Sequence, residues 1–203
     1  MGGIGLGSIK GRQVILWVTL LILLSLSIMP IIWAVFGSFK TTEEIILQPF
    51  SLPSNWSFDN IIRAWTEGNF QTYFLNSTFL TLVTMLVVFI AACPAGYALA
   101  KFPFKGRNFL FYFFLAGMTL PVQSIIIPLF FQMRNMGMID TLLGTSLVLG
   151  AVALPFSIFL MRNTFKDIPD EIKESAEMDG ASEWRIFIQI MLPLAKPGIS
   201  AML

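Results

Sequence analysis

SAEMDGASEWRIFIQIMLP, residues 175–193, gathers acids, small residues, a glycine and an amphipathic run between stretches apolar enough to sit in lipid. Just upstream, Pro169 followed by Asp170 and Glu171 reads as a helix start, with proline in the first turn and acids at the positive end of the dipole. In the helix that follows, Ser175, Ala176 and Asp179 share one face with Ile172 behind them. Gly180 then stops it, because a left-handed residue is cheapest at glycine. Ser182 can cap a second helix, in which Ile186, Phe187 and Ile190 form an apolar stripe before Pro193. Two short helices joined at a glycine make poor catalytic equipment but a good docking knob. The alternative is a hairpin lying on lipid headgroups, which favours a basic polar face. This segment instead carries Asp167, Asp170, Glu171, Glu174, Glu177, Asp179 and Glu183 against Arg162, Lys166, Lys173, Arg185 and Lys196. That balance argues for a protein partner.

The rest of the chain is membrane-like. Over 203 residues it is 56% apolar and 14% aromatic with only 12% charge, outside the soluble norm. No histidine is present, and the single Cys93 lies in an apolar run. The commonest general base and metal ligand is therefore missing, and an internal disulfide is impossible. No catalytic or metal site is expected. The net charge of +1 offers no basic surplus for nucleic acid.

Charge-free stretches mark the spans, since crossing the hydrocarbon core takes about 20 apolar residues and charges there are costly. Four qualify, at about residues 14–36, 70–100, 109–133 and 141–161, and a fifth begins near Gly198. The expected fold is all-α: a polytopic helical membrane protein with four complete spans, the start of a fifth and a cytoplasmic loop over 162–197. The second stretch exceeds one span, which places its start, GNFQTYFLNS, along the outer interface. The first is too long for a signal-peptide core and lacks a small-x-small site.

Lys and Arg set the orientation. Lys10, Arg12, Lys101, Lys105, Arg107, Arg162, Lys166, Lys173, Arg185 and Lys196 fall on one side; Lys40, Arg63 and Arg134 fall on the other. A cytoplasmic amino terminus follows, with residues 37–69 as an outer loop too short for an independent domain. Pro30, Pro94, Pro121, Pro128 and Pro155 lie inside the spans, where each removes a backbone hydrogen bond and kinks or breaks its helix. Ala91, Ala92, Ala95, Gly96 and Ala100 would allow close helix packing. Gln123, Ser124 and Gln132 are polar residues in the third span. They read either as pathway groups or as interhelical hydrogen-bond partners.

Glu174-Ser175-Ala176, three residues, Gly180, nine residues, Ile190-x-Leu192-Pro193 resembles the EAA loop of ABC importer permeases, E-A-A-x3-G-x9-I-x-L-P, with Ser175 in place of the middle alanine. The stretches YFLNSTFLT, AGYALAKFPFKGRN, LPVQSIIIPLFFQMRNMGMIDT and LPFSIFLMRNTFKDIPDEIKESAEMDGAS resemble the carbohydrate branch, similar to the G subunit of maltose-type importers. The resemblance implies that residues 1–203 are an importer transmembrane domain, and that the family pattern continues for roughly two helices past Pro197. It assigns Glu174, Ser175, Ala176, Asp179, Gly180, Ala181, Ile190, Leu192 and Pro193 to docking on a separate ATPase. It further implies two ATPase copies, a second homologous permease, an extracytoplasmic solute-binding protein and a lipid environment in the cytoplasmic (inner) membrane of a prokaryote. No G-x-x-x-x-G-K-[ST] stretch occurs, so the chain holds no cofactor of its own; ATP and Mg2+ belong to the partner. A permease for a peptide, amino acid or other solute is the rival within transport. A membrane scaffold or membrane enzyme is the rival outside it.

Cysteines introduced at Ser54 and Ser182, with Cys93 replaced, should label from outside and inside respectively with a membrane-impermeant maleimide. Labelling of both from one face would contradict the charge-based topology.

Overall fold

The computed structural model describes residues 6–203, with side chains from Gln13 onward, so the side chains of Lys10 and Arg12 lie outside the described residues. The chain forms two compact units, Met1–Tyr73 and Phe74–Leu203. All of the regular elements among the described residues are helical.

The first unit begins with α1 (Leu6–Gly37), whose segment Gln13–Gly37 is long and apolar enough to cross a membrane. From Gln13 onward its side chains are exposed nearly all round, as suits a helix solvated by lipid. The helix runs on through Pro30. The segment expected as a loop carries α2 (Thr42–Leu47) and α3 (Asp59–Thr66). A capping box starts α2: Thr41 Oγ1 accepts from the Glu44 N–H at 3.2 Å and Glu44 accepts from the Thr41 N–H at 3.2 Å. Hydrogen bonding from Ser54 and from Thr41 holds the Glu44 carboxyl below its usual pKa.

Lys40 organises this segment. Its side chain is buried, and Nζ donates to the carbonyls of Gln48 (2.8 Å) and Pro49 (3.4 Å) and to Ser51 Oγ (3.3 Å). A buried ammonium needs such partners, because leaving it bare costs far more than a neutral group. Trp33 Nε1 also donates to the Pro49 carbonyl, at 2.8 Å. Asn60 Nδ2 donates to the Lys40 carbonyl at 2.6 Å, and Phe39 packs edge-on to Phe58 at 5.3 Å.

In the second unit, α4 (Phe70–Lys101) packs against α7 (Leu142–Asp167) through glycines. A Cβ on Gly96 would sit 2.6 Å from Met161 Cβ and 2.9 Å from the Arg162 nitrogen; one on Gly150 would sit 3.0 Å from Val87 Cγ1. Thr84 Oγ1 adds a bond to the Ser146 carbonyl at 3.3 Å. The stretch GNFQTYFLNS belongs to α4 from Phe70 onward, without a break.

The third expected span is two helices, α5 (Arg107–Gly117) and α6 (Val122–Asn135), bent by 98°. Pro121 has no N–H to donate and disfavours the helical region for Leu120, so the helix must end before it. The freed carbonyls of Leu115 and Ala116 accept from Met118 N (3.0 Å) and Thr119 N (3.0 Å). Of the prolines expected inside the spans, Pro94, Pro128 and Pro155 lie within continuous helices and Pro121 stands at a helix boundary. Phe111 of α5 stacks on Phe159 of α7 at 6.3 Å and carries the Arg162 guanidinium 3.9 Å above its ring.

The chain then reverses through α8 (Asp170–Met178) and α9 (Glu183–Ile186), continues as a wide π turn (Phe187–Met191), and ends in α10 (Leu192–Leu194) and α11 (Lys196–Met202). Leu192 donates to Phe187 five residues back, in front of Pro193, whose missing N–H cannot continue the regular ladder. Gly198 meets Thr164 of α7 so closely that a Cβ there would overlap its hydroxyl.

Gly96→Ala should destabilise the purified protein by about 1–3 kcal/mol, because the obstruction is Met161 Cβ and backbone rather than a flexible tip. Gly37→Ala, which meets nothing within 4 Å, should be near neutral. Thermal melting in detergent checks both, and equal melting temperatures would contradict the glycine contact.

Candidate functional site

Residues 175–193 fold as a reversal seated on the ends of α4 and α7. Phe165, Ile186 and Met191 are fully buried beneath it, and Tyr97 packs 5.1 Å from Phe187 and 5.5 Å from Phe165. Pro169 precedes α8 in extended conformation, and Asp170 and Glu171 fill the first turn. Lys101, at the end of α4, donates to the Ile168 carbonyl and to the Asp170 carboxylate. That hydrogen bond and the lysine charge hold the Asp170 carboxyl below its usual pKa.

Gly180 adopts φ +77, and the bonds around it complete a Schellman motif. Its N–H donates to the Glu177 carbonyl at 3.0 Å, and the Ala181 N–H to the Ala176 carbonyl at 3.0 Å. Nothing lies within 4 Å of a Cβ built at Gly180, so glycine is needed there for its backbone and not for space. Ser182 Oγ then caps α9 by accepting from the Arg185 N–H at 3.4 Å.

α8 has two working faces. Asp170, Lys173 and Glu177 follow at i, i+3 and i+7 on the side turned to α4 and α9. Lys173 Nζ bonds Glu177 at 2.8 Å and Glu183 at 2.7 Å, and lies 4.8 Å from the Phe102 ring centroid. Burial alone would lower the Lys173 pKa; the hydrogen bonds to the two carboxylates outweigh it and raise the pKa above the ordinary lysine value. The hydrogen bond from Lys173 holds Glu177 below its usual value.

On the opposite side, Ile172, Ser175, Ala176 and Asp179 repeat at i, i+3, i+4 and i+7 and, with Glu171 and Ile190, line an open concavity. The residues assigned to docking divide here. Glu174, Ser175, Asp179, Gly180 and Pro193 are exposed, while Ala181, Ile190 and Leu192 are half-buried. Ala176, 8% exposed, belongs to the unit's own core, so its small size serves internal packing. Met178 stands out at 88% exposure, an apolar side chain held clear of the fold. It follows Glu171 and Ser175 at i+7 and i+3, and that spacing was the signal for it in the sequence.

Gln123 and Ser124 lie together and exposed in the first turn of α6, just past the Pro121 break. Gln132 is also exposed and sits about two and a half turns beyond Gln123, on the side of α6 opposite Gln123 and nearer the face of Ser124. The three polar candidates are therefore not gathered at one point: Gln123 and Ser124 share the first turn of α6, and Gln132 lies further along it.

Residues 92–203 match the family described as binding-protein-dependent transport system inner membrane component. The diacetylchitobiose uptake system permease protein NgcG of Streptomyces coelicolor is 44% identical over 194 residues, covering 96% of this chain and 62% of the relative. The arabinooligosaccharides transport system permease protein AraQ of Halalkalibacterium halodurans is 33% identical, covering 87% and 64%. The chain thus spans about three-fifths of the length of these curated relatives. A crystal structure of a bacterial ABC transporter involved in the import of the acidic polysaccharide alginate superposes with a TM-score of 0.88 at 28% identity, covering 100% of this chain and 71% of that one. The family match from within α4 to α11, the reversal at Gly180 and the identity to these permeases lead to one assignment: this chain belongs to the binding-protein-dependent transport system inner membrane components.

Proposed function

We propose that the chain is a permease subunit of an ATP-binding-cassette importer, forming half of the pathway by which a saccharide crosses the cytoplasmic membrane of a prokaryote. The observation that carries the reading is the exposed face of α8, ending at a left-handed glycine, in a chain of this family. Its spans are α1, α4, the bent α5–α6 pair and α7, with α11 opening a fifth. Residues 162–197 form the cytoplasmic coupling loop within a transmembrane domain covering 1–203, and the Lys/Arg asymmetry supports a cytoplasmic amino terminus.

ATP and Mg2+ are bound by two copies of a separate ATPase subunit. A second, homologous permease completes the pathway, and an extracytoplasmic binding protein delivers the solute. Closure of the ATPase pair displaces α8, and the packed ends of α4 and α7 carry that displacement into the spans. Electrostatics suits the contact: Glu171, Glu174 and Asp179 ring Met178 and Ser175, so an apolar pocket with a basic rim is the complementary surface. Gln123 and Ser124 are the proposed polar contacts to solute from α6, with Gln132 further along the same helix. The relatives' names direct the cargo reading to oligosaccharides, diacetylchitobiose first.

Cells carrying the full set of subunits should take up a labelled oligosaccharide in the presence of this chain and not in its absence. Uptake of an amino acid or peptide with no sugar competing would contradict the cargo.

Gly180→Val imposes a left-handed backbone on a β-branched residue, a penalty of about 1–2 kcal/mol. Ser175→Arg puts a long charged side chain on the open face. Both should reduce co-purification of the ATPase and abolish transport with membrane insertion intact, whereas Lys196→Ala should be mild. Wild-type attachment for both would remove α8 as the docking element.

A further inference from the structure

α4 holds the reversal at two points. Lys101 grips the start of α8 through the Ile168 carbonyl and Asp170. One turn earlier on the same face of α4, Tyr97 Oη donates to Glu183 Oε2 at 3.2 Å, at the start of α9. Glu183 uses its other oxygen for Lys173, which in turn holds Glu177 at the end of α8. Tyr97, Glu183, Lys173 and Glu177 thus form one connected chain of polar groups from the span to both ends of the Gly180 turn. The Lys173 side chain is only 15% exposed, so the cation shared by the two ion pairs is withdrawn from solvent, while its carboxylate partners Glu177 and Glu183 stay 44% and 45% exposed.

A helix attached to its neighbour at one point can pivot there, and displacement of its far face is then absorbed as rotation. A second attachment fixes orientation as well as position. The Lys101 grip alone is a pivot at the amino end of α8; the network from Tyr97 closes the carboxyl end. Pro94 lies one turn before Tyr97, so both attachments fall on the last two turns of α4, beyond the point where its ladder lacks a hydrogen bond.

We propose that Tyr97, Lys173, Glu177 and Glu183 are positioning residues for transport: they clamp α8 and α9 to α4 so that movement of the docked helix turns the span instead of being lost at the Gly180 hinge. The proposal rests on α8 being the ATPase-docking helix, and its residues lie on the side of α8 away from the open concavity. They are therefore separable from attachment.

The test uses the assembled transporter in lipid vesicles, with ATPase co-purification, ATP hydrolysis and solute uptake measured on each sample. Lys173→Met keeps the aliphatic stem and removes both ion pairs; Tyr97→Phe keeps the ring contacts and removes one hydrogen bond; Lys173→Arg restores the charge. In Lys173→Met the ATPase should remain attached and hydrolysis continue, while uptake per ATP falls by at least about fivefold. Tyr97→Phe should show a smaller loss, on the order of twofold. Lys173→Arg should recover most of the coupling. Unchanged uptake per ATP in Lys173→Met, or loss of the ATPase from it, would overturn the clamp. If Gly180→Val and Ser175→Arg keep the ATPase, α8 is not the docking element and the clamp falls with that reading; if they lose it while Lys173→Met keeps wild-type uptake per ATP, the docking reading stands and the clamp alone is overturned.

Discussion

At Gly96 the backbone of α4 lies directly on Met161 and Arg162 of α7, and the two helices can meet there only because no side chain intervenes. In lipid there is no hydrophobic force between helices, so such close packing, together with bonds like that from Thr84 to Ser146, is what holds α4 to α7. The contact sets the position of everything one turn beyond it. Tyr97 and Lys101 on α4, and Phe165 and Ile168 on α7, come together as a platform. On that platform Ile186, Phe187 and Met191 are buried, and α8 and α9 are oriented with one face inward and the other to solvent. Widening the approach at Gly96 would separate Tyr97 from Phe165 and loosen the seat of the reversal.

The reversal divides its chemistry between the two faces of α8. Asp170, Lys173 and Glu177 are turned to α4 and α9, where Lys101 and Lys173 are the members of these pairs withdrawn from solvent and so the ones that need a partner. Unpartnered acids and the bare Met178 side chain are turned outward. An arrangement of this kind resists being moved internally while offering an apolar and acidic contact to another molecule, which is what a transmitter of force requires.

Local signals in the sequence carried much of this. The helix start at Pro169 and Asp170, the left-handed stop at Gly180 and the cap at Ser182 depend on neighbours within four residues, and the structure has all three as read. The apolar runs became helices because a backbone in lipid has few other ways to satisfy its hydrogen bonds. What composition could not supply was which proline breaks its helix. Pro30, Pro94, Pro128 and Pro155 are carried within helices and Pro121 is not, a difference decided by the turn that Met118 and Thr119 can form. Long-range polar contacts were equally silent. Tyr97 and Glu183 lie 86 residues apart, and Lys40, expected only as an outer-loop charge, proved to be the buried centre of its segment. Ala176 was read as part of an open small-residue face, yet it belongs to the core, since a helix wheel cannot tell which side the rest of the chain will cover.

The central claim is that the outward face of α8 meets the ATPase, and proximity at Met178 tests it most directly. In the purified transporter with Cys93 replaced, Met178→Cys should form a covalent adduct with the ATPase subunit through a short-arm bifunctional maleimide paired with a cysteine on that subunit. The same reagent should leave Lys196→Cys uncrosslinked. A crosslink from Lys196→Cys with none from Met178→Cys, across a set of ATPase surface cysteines, would contradict the account.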